Sequence, residues 1–97
     1  MKLSEYYEYY LTLHQDPRCR LMHFIGQIAT IGYVSFLIAI QAWWPLLLAP
    51  FVVYPFAWSG HYYFEKNQPA AFTNPLLAKA SDWLMFRDII LGRLKIW

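Results

Sequence analysis

Three histidines, His14, His23 and His61, and one carboxylate four residues beyond the last, Glu65, are the residues whose types could do chemistry together. Imidazole suits iron, zinc, copper or nickel, and histidine plus carboxylate with open coordination positions is the usual pattern for non-haem iron. A single histidine at a helix end is more often an interfacial polar residue than a ligand. Three at one depth, with no other histidine in the chain, point to a shared divalent metal. The four-residue spacing of His61 and Glu65 puts them on one helical face, as a ligand pair or simply as a hydrogen-bonded pair.

The elements that must position these groups follow from charge. The 44 residues from Leu21 to Phe64 contain no Asp, Glu, Lys or Arg. The whole chain is 14% charged and 59% hydrophobic, against roughly 25% charged in soluble domains. A chain this small needs a largely polar surface in water, so a soluble single domain is excluded. A membrane span takes about 20 apolar residues, and the stretch therefore holds two: 23–40 and 46–64. The turn between them, Gln41 to Pro45, is short and carries Trp43 and Trp44, which suit a membrane–water interface.

The expected fold is an all-α membrane protein. It is a two-span antiparallel hairpin with an N-terminal amphipathic helix and C-terminal interfacial helices, one integral membrane domain over 1–97. Within it, 1–17 is the interfacial helix and 65–97 a cytoplasmic loop followed by interfacial helices. Leu3, Tyr7, Tyr10 and His14 mark one face of the first helix, and Tyr6, Tyr7, Tyr9 and Tyr10 read as an interfacial anchor. Asp16-Pro17 breaks that helix. The small residues Gly26, Ala29, Gly32 and Ser35 read as a packing stripe, and Pro50 and Pro55 as kinks. Glu65 to Thr73 reads as a polar loop, Asn74-Pro75 starts a helix, and Ser81-Asp82 is the expected break within it.

The hairpin brings His23 and His61 to one depth, and the Asp16-Pro17 turn lets His14 fold back beside them. Arg18, Arg20, Lys66, Lys79, Arg87, Arg93 and Lys95 all flank the spans and the turn has no base, so both termini are expected to be cytoplasmic. The host membrane is the inner membrane of a bacterium or the endoplasmic reticulum of a eukaryote. Glu5, Glu8 and Asp16 near the start leave no apolar secretory region, so the mature chain is expected to begin at Met1. A net charge of +2 with no basic run excludes nucleic acid as partner. Cys19 is alone, which excludes an internal disulfide and, by count, a cysteine-based metal site. Two spans make a thin wall, so a homodimer is the expected assembly. Two other functions compete: a non-catalytic packing or assembly subunit, and a b-type haem carrier with His23 and His61 as axial ligands.

The run from Trp58 to Phe72, with Gly60, His61, Glu65, Asn67 and Pro69 in place, followed by Pro75 and Asp82-Trp83-Leu84-Met85, resembles the Mpo-like family. So does the opening, with Tyr6-Tyr7, Tyr10-Leu11, His14, Arg20 and His23-Phe24-Ile25-Gly26. These are small membrane proteins related to the yeast 2-hydroxy fatty acid alpha-dioxygenase. The resemblance implies an Fe(II)-dependent, haem-free dioxygenase that shortens a 2-hydroxy fatty acid, drawn from membrane lipid, by one carbon with O2. It implies that His14, His23 and His61 hold Fe2+, that Glu65 is a fourth ligand or a base, and that Asp82 and Asn67 orient the ligands. Lys66 would attract the carboxylate. No 2-oxoglutarate or nicotinamide is needed, because the substrate releases the four electrons that O2 takes, and no glycine-rich phosphate loop is present.

Overall fold

The computed structural model describes residues 2–67, 74–94 and 96. The loop expected over 65–73 falls mostly outside them, as does Lys95. All the regular structure among the described residues is helical. The first helix, α1, covers Leu3–Thr12, and α2 covers Pro17–Ala39. Asp16 caps α2 by accepting from the Arg18 N–H at 2.8 Å, and Pro17 occupies the first turn, where its missing N–H costs nothing. The helix therefore starts six residues before the expected span. Its 23 residues make it the one helix among those described that is long and apolar enough to cross a membrane.

The segment expected as a second span, 46–64, is not one continuous helix. Trp44–Phe51 is a 3-10 helix, α3 covers Tyr54–Gly60, and His61–Glu65 is a π turn. Pro45, Pro50 and Pro55 explain this, since every fifth residue lacks the N–H that an α-helical ladder needs. Shorter-range bonds replace it, such as the Val52 N–H to the Ala49 carbonyl at 3.2 Å. The chain nevertheless returns along α2. The two are in contact at Gly26, where an added Cβ would stand 2.8 Å from Val53 Cγ2, and at Gly60, where it would stand 3.1 Å from Cys19 Sγ. Gly32 has nothing within 4 Å, so only part of the small-residue stripe is used for packing. At the far end the Tyr33 hydroxyl donates to the Pro45 carbonyl at 2.8 Å and ties α2 to the turn.

The last helix, α4, covers Pro75–Ile90, capped by the Asn74 side chain, which accepts from the Leu77 N–H at 3.3 Å. It runs unbroken through Ser81-Asp82, against expectation. Asp82 is buried but paired with His23, so the helix has no need to end there. Helix α1 packs on α4: Tyr6 and Tyr10 join Ala78, Met85 and Ile89 in the core. This corrects the reading of the tyrosines as an anchor. The buried face is Tyr6 and Tyr10 rather than Leu3, which is exposed, because α4 offers an apolar surface to cover. Tyr7 sits at the edge, its hydroxyl donating to Asp88 Oδ2 at 2.5 Å.

Candidate metal centre

Four elements deliver the three histidines and their supports. His14 lies just past the end of α1, its N–H bonded to the Leu11 carbonyl at 3.1 Å. His23 is in the second turn of α2, and His61 opens the π turn. All three are buried. His14 Nε2 is 3.1 Å from His23 Nε2, which is 3.3 Å from His61 Nε2.

The opposite ring nitrogens are each held by an acceptor. His14 Nδ1 donates to the Tyr10 carbonyl at 2.8 Å, a carbonyl at the end of α1. His23 Nδ1 faces Asp82 Oδ1 at 3.0 Å, with the Tyr10 hydroxyl at 3.5 Å. His61 Nδ1 donates to Asn67 Oδ1 at 2.6 Å. The Asn67 amide is oriented in turn, because its Nδ2 donates to the Leu13 carbonyl at 3.1 Å. With the Nδ1 protons so placed, each Nε2 presents a bare lone pair to the others.

Lone pairs this close repel unless a cation lies among them. A proton is disfavoured at His14: burial first, then the neighbouring His23 and His61, hold its imidazole well below the ordinary range. Nitrogens bound to one metal at about 2.0–2.1 Å stand roughly 3.0–3.4 Å apart, which is the spacing of His23 to each of the other two. The donor set therefore fits a transition metal. Two of the three supporting acceptors are side chains, Asn67 six residues and Asp82 59 residues from the ring each holds, the arrangement that fixes ring orientation at histidine metal sites.

Glu65 is not among the grouped ligand atoms. Its carboxylate accepts from the Asp16 backbone N–H and so ties the π turn to the α1–α2 corner. The expected His61–Glu65 pair is replaced for a local reason. Lys66 adopts a left-handed conformation (φ 57°) and its N–H bonds back to the His61 carbonyl at 2.6 Å. That reversal lets Asn67, six residues on, reach the His61 ring. Lys66 itself is exposed.

Two residues of the centre were missed by sequence reasoning. Cys19 is fully buried and lies one turn before His23 on α2; its Sγ and one nitrogen of each histidine all lie within 4.8 Å of one another. Counting cysteines discards a lone one, although a histidine site can take a single thiolate; the spacing to His23 was the available signal. Tyr10, four residues before His14, stacks on its ring at 4.0 Å between centroids. The haem alternative is not favoured: the His23 and His61 rings meet edge to face at 90°, with no slot for a macrocycle between nitrogens 3.3 Å apart.

No curated protein and no solved structure matches this chain. A protein family does match, over residues 1–94, and those residues include every member of the centre. The chain belongs to the family described as 2-hydroxy-palmitic acid dioxygenase Mpo1-like.

Proposed function

We propose that the chain is an Fe(II)-dependent, haem-free membrane dioxygenase that shortens a 2-hydroxy fatty acid by one carbon. The balance is R-CHOH-COOH + O2 → R-COOH + CO2 + H2O, which needs no further reductant. The observation that carries it is the convergence of three Nε2 atoms whose Nδ1 partners leave their lone pairs bare. Iron, when bound, would supply Lewis acidity and a site for O2.

The residues divide the remaining work. His14, His23 and His61 hold the metal, with Cys19 in reach as a fourth donor. Asp82, Asn67 and the Tyr10 carbonyl fix the rings. Glu65 is a positioning residue through the Asp16 N–H. An apolar-lined cavity of about 280 Å³ between α2, the 3-10 segment and α4 suits an acyl chain; Thr30, Leu46, Ala49, Pro50, Lys79 and Trp83 line it. Thr30 is seven residues past His23, about 10 Å along the helix, so a head group at the metal could extend its chain there.

In this reading α2 and the proline-broken return segment both cross the bilayer. The termini are cytoplasmic, 1–97 forms one domain, and a second copy thickens the wall. Exposed Phe36, Ile38, Ile40, Leu47 and Phe51 support a lipid environment. The test is anaerobic purification with metal analysis, then incubation with 2-hydroxyhexadecanoic acid and O2. Stoichiometric iron, no haem absorption band and the acid one carbon shorter are expected. Absence of either iron or product rejects the proposal.

A further inference from the structure

Two buried polar side chains beside the centre have no partner among the described residues. Gln27 is 0% exposed, and neither its amide oxygen nor its nitrogen is hydrogen-bonded. The Ser81 hydroxyl, also on a residue 0% exposed, is unpaired as well. Buried polar groups are almost always paired, so each such exception asks for an explanation, and a bound ligand is one.

Their positions say which. On α2, Gln27 is one turn past His23, on the same face, and Thr30 of the cavity is the next residue of that face. On α4, Ser81 immediately precedes Asp82, which holds His23, and shares the buried face of that helix with Ala78 and Met85. On both helices the unpaired group therefore stands within one turn of a residue that builds the metal centre. A primary amide offers a donor and an acceptor, and a hydroxyl offers both. Together they match a hydroxyl next to a carboxylate, and an unsubstituted methylene leaves them unpaired.

We propose that Gln27 and Ser81 read the 2-hydroxyl and the adjoining carboxylate oxygen of the substrate, and so determine specificity for 2-hydroxy acids over unsubstituted ones. The acid class rests on the function proposed above; the unpaired polar pair does not. A site built to hydrogen-bond a hydroxyl discriminates strongly against the analogue that lacks it, because its own groups are then stranded.

The test uses the full chain in lipid nanodiscs, iron-loaded without O2, with binding of 2-hydroxyhexadecanoic and hexadecanoic acids measured separately. The wild type should prefer the hydroxy acid. Gln27→Met and Ser81→Ala should each lower that preference by about tenfold or more, with metal content unchanged. Both should also melt no lower than the wild type, since the atoms removed had no partner in the fold. Unchanged preference in both variants, a lowered melting temperature, or a wild type without preference overturns the inference. A wild type that prefers the hydroxy acid but does not turn it over rejects the dioxygenase function and leaves this inference standing.

Discussion

At the histidine end of the molecule, His14, His23, Gln27, His61, Ser81 and Asp82 are buried, while around the opposite turn Phe36, Ile38, Trp43, Trp44 and Leu47 face outward. Trp44 is 73% and Leu47 76% exposed. A water-soluble fold arranges these types the other way round. The histidines of the polar end tolerate burial because each ring is held by an acceptor, Asp82 from α4 on His23 and Asn67 beyond the π turn on His61, while Gln27 and Ser81 stay unpaired. The apolar end matches its side chains to nothing inside the chain, and burying each such side chain in lipid is worth about 1.5–3 kcal/mol. The contrast teaches that the two ends are organised differently. On the proposed function lipid covers the apolar end, whereas hydrogen bonds to the three imidazoles organise the other.

The comparison breaks hardest at the ligands. His23→Ala or His61→Ala should lower metal affinity by more than about 100-fold, beyond the range typical of supporting residues. A second alanine should add little, because members of one unit are non-additive. Metal analysis of single and double variants reads this; additive partial losses would mean the histidines are not one site.

The supports come next. Asp82→Asn and Asn67→Ala should each weaken metal binding by about 10- to 100-fold, read by competition with a chelator. Outward substitutions such as Trp44→Ser should leave metal binding unchanged and reduce membrane retention instead. Equal effects on both readouts would dissolve the distinction between the two ends.

Gly60→Ala lies at the junction. An added Cβ would meet Met22 Cβ at 3.2 Å and the Cys19 backbone Cα at 3.3 Å, so α2 and α3 must part. The cost should be about 1–3 kcal/mol, with reduced metal content because His61 is the next residue; thermal unfolding and metal analysis check it.

Acid should act elsewhere, on the α1–α4 pair. Burial pushes the Asp88 carboxyl up, but the Tyr7 hydrogen bond and the Arg87 and Arg93 guanidinium groups outweigh it and hold it below the ordinary value. A depressed carboxyl stabilises the fold above its unfolded value and loses that contribution as pH falls through the folded one. Stability should therefore drop below about pH 4, and Asp88→Asn should flatten that limb in acid denaturation.

Glu65→Gln should have the smallest effect, since the amide oxygen can still accept from the Asp16 N–H. A loss of turnover of 100-fold or more, the scale of a missing general base, would instead restore Glu65 to the chemistry.

Much of this protein was decided by local sequence. The stretch without charge from Leu21 to Phe64, the Asp16-Pro17 and Asn74-Pro75 helix starts, and the grouping of three histidines by a hairpin are all short-range or one-dimensional signals. Proline spacing also carried the break-up of 46–64, although kinks alone understate what three missing N–H groups do to a ladder. Tertiary structure alone decided which polar group serves which ring. A tyrosine run reads identically whether lipid or α4 covers it, and only the packed α4 put Tyr6 and Tyr10 inside. Glu65 and Asn67 differ by two residues, and the left-handed turn at Lys66 gave the His61 ring to Asn67 and the Asp16 N–H to Glu65. The motif marked Asp82 as an orienting residue, but that it serves His23, 59 residues away, had no local signal, because a hydrogen bond across helices depends on where the helices pack and not on spacing along the chain.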